Sequence, residues 1–147
     1  MIWPARTSNL VADRPRPERG LLDTSVVIDL ERISADELPS EVAISAITMA
    51  ELTAGPHATT DPTERSRRQD RLQRTEAAFD PLPFDTEAAR AYGRVFAAIA
   101  AAGRKPRGAR AVDLLIAATA LAEELPLYTR NPDDFRALDG IVDVIRI

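Results

Sequence analysis

Short apolar runs followed by helical periodicity recur along the first half of the chain. In GLLDTS the apolar run ends at Asp23, and SVVIDLERI continues with helical spacing. The same order returns in VAISAITMAELTAG, whose helix is predicted to stop at Gly55 and Pro56. Residues 62–79 have few apolar positions, which predicts a helix with one broad exposed face.

The second half continues the rhythm of strands and helices. PLPF predicts a short strand between prolines, and Asp85 is the predicted N-cap of an amphipathic helix that Gly103 closes. AVDLLIAATALAEE predicts a strongly apolar helix packed on two sides. PLYTRN and VDVIRI predict strands, and PDDFRALDG predicts a short helix between them.

This alternation predicts an α/β fold, with a mainly parallel sheet and helices on both faces. A length of 147 residues is typical of one domain. Residues 1–19 are rich in Pro and Arg and predict a flexible leader, so the domain is expected at 20–147. The leader lacks the apolar stretch of a signal peptide, and no run is long enough to predict a membrane span.

The amino-acid composition excludes several classes of catalytic and metal-binding site. There is no cysteine, which excludes thiol nucleophiles and thiolate zinc sites and fits a cytoplasmic location. The single histidine, His57, is expected to be a solvated loop residue. A net charge of −4 argues against nucleic-acid binding by bulk electrostatics, although positive charge is clustered at 65–74 and 103–110.

Acidic and amide residues interrupt the apolar sequence at comparable places. Asp23 ends the first strand, Glu51 lies among apolar neighbours after the second, and Asp113 begins the most apolar helix. Asn131 and Asp133 follow the strand LPLYTR. Ligands of parallel sheets bind outside the carboxyl ends of the strands, so these side chains are predicted to meet there. A desolvated carboxylate costs several kcal/mol unless it is paired or bound to a cation.

A hard divalent cation is the predicted compensation, since only Arg110 and Arg130 are basic residues near these acids. Mg²⁺ and Mn²⁺ favour oxygen ligands and need one or two direct carboxylates each. Such ions also suit phosphoryl chemistry. For each acid alone a structural role remains open: Asp23 as a helix cap, Asp113 as a first-turn charge, and Glu51 as a partner of a surface arginine.

Four segments in order, LLDTSVVIDL, ITMAELTAG, AVDLLIAATAL and LYTRNPDDF, resemble the PIN-domain ribonucleases, and within them the VapC-type toxins of bacterial toxin–antitoxin pairs. The resemblance spans residues 20–147. It implies a three-layer α/β/α fold and an acidic pocket that holds Mg²⁺ or Mn²⁺ and cleaves single-stranded regions of RNA. Asp23, Glu51 and Asp113 match the metal-binding acids of the family, and we expect them to be catalytic.

The chain departs from the family pattern at the fourth acidic position. Asn131 aligns there, with Asp133 two residues further on. Either Asp133 substitutes, or a second metal is held more weakly by the amide. In the resulting hypothesis Asp23 and Asp113 coordinate the ion, Glu51 holds it through water or positions the attacking water, and the products carry a 5′-phosphate and a 3′-hydroxyl.

Hydroxyls and cations flank these acids. Thr24, Ser25 and Thr129 are candidates to orient the carboxylates, with local turn or cap bonding as an equal alternative. The segment GRKPRGAR leads into the helix of Asp113 and could contact RNA phosphates, whereas RSRRQDRLQR at 65–74 is expected to be an exposed helix face. The candidate RNA contacts are Arg104, Lys105, Arg107 and Arg110.

The resemblance also implies two protein partners. One is a VapB-type antitoxin that inserts a basic side chain into the acidic pocket, and the other is a second copy in a homodimer. The apolar residues of the first two helices could form the dimer surface or serve equally well as core. These residues are Val26, Val27, Leu30, Ile47 and Leu52.

Two alternatives come from other functional classes. A degenerate PIN domain would bind RNA or antitoxin without cleavage, and Asn131 is its main support. A phosphatase of the haloacid-dehalogenase type is less favoured, because Ser25 stands where that class needs a second aspartate.

Overall fold

The computed structural model describes residues 3–4, 17–104 and 109–147, in which strands and helices alternate up to residue 54 and three α-helices then follow in succession before the strand Leu127–Thr129. Four 3-10 helices connect them, at Leu30–Arg32, Ala35–Glu37, Gly55–Ala58 and Pro132–Leu138. The main elements are β1 (Trp3–Pro4), β2 (Arg19–Leu22), α1 (Thr24–Ile28), β3 (Glu41–Ile44), α2 (Ala46–Ala54), α3 (Pro62–Ala78), α4 (Thr86–Ala101), α5 (Ala109–Ala122), β4 (Leu127–Thr129) and β5 (Val144–Arg146).

One sheet runs through the centre of the domain, in the strand order β1-β3-β2-β4-β5. The four strands β3, β2, β4 and β5 are parallel, and β1 adds an antiparallel edge against β3. The central strand β2 therefore has a parallel neighbour on each side. The prediction of an α/β fold with a mainly parallel sheet is confirmed.

Neighbouring residues of the central strands point into two separate cores. Leu21 belongs to a cluster with residues of α4 and α5, whereas Leu22 belongs to a cluster with residues of α1 and α3. In β4, Leu127 and Tyr128 divide in the same way. Because successive side chains of a strand point to opposite faces, helices cover both faces of the sheet. The predicted three-layer arrangement is confirmed.

Two predicted elements are shorter or weaker than expected. The helix after Asp23 ends at Ile28 instead of continuing to Ile33, and a 3-10 turn follows. Its residues are mostly β-branched, which lowers helix propensity. The strand predicted at PLPF is wrong: Leu82 forms only an isolated bridge to Ser45, because the flanking prolines have no N–H to donate to a ladder.

The predicted limits of α4 agree with the structure. The Asp85 carboxylate accepts a hydrogen bond of 2.9 Å from the N–H of Ala88, as an N-cap does. The helix ends at Ala101, and Gly103 follows with a φ of 74°, a conformation that favours glycine.

Residues 1–2 and 5–16 of the predicted leader lie outside the described residues, so its flexibility stays a prediction. Residues 3 and 4 of the predicted leader are described, and there Trp3 pairs with Val42 and Pro4 pairs with Glu41. Among the described residues, no helix has the length and apolar character needed to cross a membrane.

Candidate functional site

Asp23 occupies the carboxyl end of the central strand. Its N–H donates to the carbonyl of Tyr128 at 2.9 Å, which continues the pairing of β2 with β4. Its Oδ1 accepts the N–H of Thr24 at 2.9 Å and so caps α1. The residue is only 4% exposed. The main chain of Asp23 is thus anchored to β4, and the N–H of Thr24 orients its carboxylate.

Two hydroxyls hold the other oxygen of Asp23. Ser25 and Thr129 each donate to Oδ2 at 2.8 Å. These hydroxyls in turn accept backbone N–H groups, Ser25 from Arg130 at 3.2 Å and Thr129 from Asn131 at 3.0 Å. The amides after β4 therefore orient the hydroxyls, and the hydroxyls orient the carboxylate. These are contacts of the kind that the predicted orienting role of Ser25 and Thr129 requires.

A chain of hydroxyls leads to Glu51 on α2. Thr24 Oγ1 lies 2.6 Å from Glu51 Oε1 and 3.0 Å from Thr48 Oγ1, and Ser45 Oγ lies 3.3 Å from Thr48 Oγ1. A hydroxyl donates only one hydrogen bond. With Glu51 ionised, the protons must therefore run in one direction: from Ser45 to Thr48, from Thr48 to Thr24, and from Thr24 to the carboxylate.

The pKa of Glu51 is raised above its usual value. Burial of its half-buried carboxyl is the largest cause, and the negative charge of Asp23 adds to it, while the hydrogen bond from Thr24 opposes it. A cation bound beside the two carboxylates would offset the cost of charging Glu51. No salt bridge to Asp23 or Glu51 occurs within the described part of the chain.

The donors at this place fit one hard divalent cation. Asp23 Oδ1 accepts a single hydrogen bond and keeps acceptor capacity, and Glu51 supplies a second carboxylate. One or two direct carboxylates with retained waters are what Mg²⁺ uses. However, across residues 17–104 and 109–147 no three or more Asp, Glu, His or Cys side chains come together as a metal-binding group. A larger acidic cluster is therefore not preformed in this part of the chain.

The other predicted acids lie in different settings. Asp113 is partly buried on α5, a helix that packs against α2, which carries Glu51. Asp133 has a side chain 84% exposed and pairs with Arg136 of its own 3-10 helix at 2.8 Å. Asn131 is exposed and contributes its backbone N–H to Thr129. Metal binding by these three residues stays a prediction.

The basic loop before α5 falls mostly outside the described residues. Lys105 and Arg107 lie there, and the side chain of Arg110 is also outside them. Arg104 is partly exposed, and its N–H donates to the Ile99 carbonyl at 3.0 Å. Arg130, which was a possible partner for the acids, pairs with Asp29 at 3.2 Å.

Sequence reasoning missed two groups of residues at the site. Ser45 and Thr48 were not singled out, although a serine directly before an apolar helical segment is a typical N-cap signal that could have found Ser45. Arg68 and Arg71 of α3 also line the cavity of about 280 Å³ that holds Glu51. Nothing in the sequence placed that helix there.

The proposed dimer residues turn out to belong to the core. Val26, Val27 and Leu52 are buried within the domain, and Leu30 is packed against the same cluster. Ile47 packs against the cluster on the other face. The core alternative is therefore confirmed for Val26, Val27 and Leu52, whereas Leu30 and Ile47 are partly buried and the dimer surface stays a prediction.

Comparisons with known proteins agree with this architecture. The family model of the PIN domain matches residues 20–141. Ribonuclease VapC5 of Mycobacterium tuberculosis is 38% identical over 136 residues, covering 89% of this chain and 97% of that protein. Ribonuclease VapC of Rickettsia bellii is 32% identical over 123 residues, covering 80% of this chain and 89% of that protein.

A solved structure gives the same result in three dimensions. A chain in the crystal structure of VapBC-5 from Mycobacterium tuberculosis, a member of the VapBC family of toxin–antitoxin systems, superimposes with a TM-score of 0.76 at 38% identity. The match covers 89% of this chain and 98% of that one. The chain is a three-layer α/β/α domain with a buried aspartate at the end of its central strand, and it is similar to the relatives described above. It therefore belongs to the PIN-domain family and, within it, to the VapC group.

Proposed function

We propose that the protein is a metal-dependent endoribonuclease, the toxin of a toxin–antitoxin pair, with Mg²⁺ or Mn²⁺ as its cofactor. The observation that carries this proposal is the buried Asp23 at the end of β2, joined electrostatically to the half-buried Glu51. The ribonuclease names of the relatives support the choice of RNA as substrate.

In this proposal Asp23 and Asp113 would coordinate the ion, Glu51 would hold it through water, and Asn131 or Asp133 would complete its ligands. A bound Mg²⁺ would lower the pKa of its water and stabilise charge on the phosphate. The chain itself keeps Asp23 in one orientation through Ser25 and Thr129. Chain cleavage adds the oxygen of water to phosphorus and breaks the bond to the 3′ oxygen, which takes up a proton.

Glu51 has the second role, that of positioning the attacking water. Its half-buried carboxylate faces the site, and Thr24 fixes one of its oxygens, which leaves the other for a water molecule. The remaining oxygen accepts a proton from water at the moment of attack. The hydroxyl chain from Ser45 keeps the carboxylate in place while this happens.

The test is direct cleavage of RNA. Purified antitoxin-free protein is incubated with total cellular RNA and either Mg²⁺ or EDTA, and new 5′ ends are mapped by sequencing. We expect discrete cuts that EDTA abolishes, that Asp23→Asn loses and that Asn131→Ala weakens. Absence of cuts with folded protein would reject the nuclease proposal.

A second candidate function is binding without cleavage. The lack of a group of three acids among the described residues favours it, together with the amide at Asn131. RNA binding that is equal in Mg²⁺ and EDTA, without any new 5′ ends, would support this reading.

The same proposal includes partners and location. The solved VapBC complexes motivate a VapB-type antitoxin whose basic side chain enters the acidic pocket, and a toxin homodimer. We place the pair in the cytoplasm, where RNA is available. Addition of the purified antitoxin is expected to stop cleavage, and sedimentation of the free toxin tests the dimer.

A further inference from the structure

A basic helix face shares a cavity with Glu51, one of the acids of the site. The cavity of about 280 Å³ contains Thr24 and Glu51 on one side and Arg68 and Arg71 of α3 on the other. The sequence around residues 65–74 predicted only a solvated helix face. The structure instead turns part of this basic segment toward Glu51.

The charge of Arg68 is already used within the protein. Its Nε donates to the Glu64 carboxylate at 3.0 Å, and its Nη1 donates to the Gly55 carbonyl at 2.9 Å. Gly55 follows the last residue of α2, so Arg68 fastens α3 to the end of the helix that carries Glu51. Arg68 therefore stabilises the packing of α3 against the end of α2.

Arg71 lies one helical turn further along α3 and makes no comparable side-chain contact within the described residues. Within the described residues, its guanidinium forms neither a hydrogen bond nor a salt bridge. It is partly buried, and it lines both the cavity of Glu51 and a neighbouring cavity of about 220 Å³. By contrast, Arg74 on the same helix pairs with Glu31.

We infer that Arg71 binds a backbone phosphate of the RNA strand and so places it beside Glu51; this inference rests on the proposed function. A guanidinium offers a planar set of donors that matches the oxygens of a phosphate. A phosphate entering a cavity that contains the carboxylates of Glu51 and Glu64 needs a nearby cation, and Arg71 supplies one that forms no salt bridge within the described residues. Contacts of this kind fix the position of a strand without reading its sequence.

The test compares Arg71→Gln with Arg67→Gln, which removes the same charge from the same helix. The Arg67 side chain is 72% exposed and lies outside the cavity lining. The probe is a labelled oligouridylate of about twelve nucleotides, within the range of single-strand binding sites. Binding is measured in EDTA, so that no cleavage occurs, at several salt concentrations.

We expect Arg71→Gln to weaken binding about tenfold, as loss of a charged hydrogen bond does. The slope of log K against log salt should become shallower by about 0.7, the value for one phosphate contact on a single strand. Arg67→Gln should change both quantities much less. Arg71→Lys should restore the salt slope and only part of the affinity, because the forked geometry is lost.

Cleavage kinetics separate this inference from the proposed function. Arg71→Gln should raise KM and leave kcat close to that of Arg67→Gln. If the wild type cleaves RNA and the two variants agree in KM, affinity and salt slope, the inference is wrong and the nuclease proposal stands. If the wild type does not cleave but binds in an Arg71-dependent way, the inference stands and the nuclease proposal fails. Loss of antitoxin binding alone would assign Arg71 to the protein partner and overturn the inference.

Discussion

At the scale of single residues, Glu51 links stability to the charge of the site. Its pKa in the folded chain lies above the ordinary value of 4.5, so the folded state binds this proton more tightly than the unfolded state does. The free energy of unfolding therefore falls as pH rises from about 4.5 through the raised folded pKa. Below that window the carboxyl is protonated in both states and causes no loss.

We therefore expect Glu51→Gln to be more stable than the wild type at neutral pH in EDTA. The amide has no charge to desolvate, and its oxygen can still accept from Thr24. Urea titrations between pH 4 and 8 measure the effect; Glu76→Gln, an exposed position on α3, is the matched control. A wild-type pH dependence identical to that of Glu51→Gln would contradict the expectation.

The hydroxyl chain gives a second prediction for one residue. Thr48→Val keeps the shape but removes the hydroxyl that joins Ser45 to Thr24, and it should cost about 1–3 kcal/mol of unfolding free energy. Thr53→Val on the same helix is the control, because its exposed hydroxyl bonds only to the carbonyl of Met49. Equal losses of unfolding free energy in both variants would show that the buried hydroxyl chain stabilises the protein no more than an exposed hydroxyl does.

At the scale of elements, the pairing of β2 with β4 depends on close approach. A Cβ at Gly20 would lie 2.5 Å from Cε1 of Tyr128, so Gly20→Ala must push an aromatic ring out of a packed core. We expect a loss of about 1–3 kcal/mol. Thermal and urea unfolding measure it.

Gly93→Ala is the matched control for that substitution. A Cβ at Gly93 meets nothing within 4 Å, and the residue lies in the interior of α4. Alanine there should stabilise the protein by about 0.5–1 kcal/mol through helix propensity. Opposite signs for the two changes would confirm that contact with Tyr128, and not the loss of glycine, is decisive.

The elements also show which parts of the fold are readable from sequence. Asp23 and Asp85 were predicted correctly at a strand end and a helix cap, because each follows from local pattern and local hydrogen bonding. The position of α3 was not predictable, because the bond from Arg68 to Gly55 depends on how two helices pack. Local pattern also failed at PLPF, where proline outweighed the apolar run.

At the scale of the whole molecule, cation binding should stabilise the fold. A ligand that binds only the folded state adds about 2.7 kcal/mol at a concentration of one hundred times its Kd. We expect Mg²⁺ to raise the melting temperature of the wild type and to have little effect on Asp23→Asn. Differential scanning fluorimetry with Mg²⁺ and with EDTA measures this, and an equal rise in both proteins would exclude Asp23 as a ligand.

The bond from the Asp23 amide to the Tyr128 carbonyl has a consequence for regulation. Amides that join central strands are among the slowest to exchange their hydrogen with solvent, so we expect strong protection of the Asp23 amide. The Asp23 carboxylate should then keep its orientation for as long as the sheet stays folded. We therefore expect control of a site built this way to come from a molecule that covers the pocket, and not from a local opening that reorients Asp23.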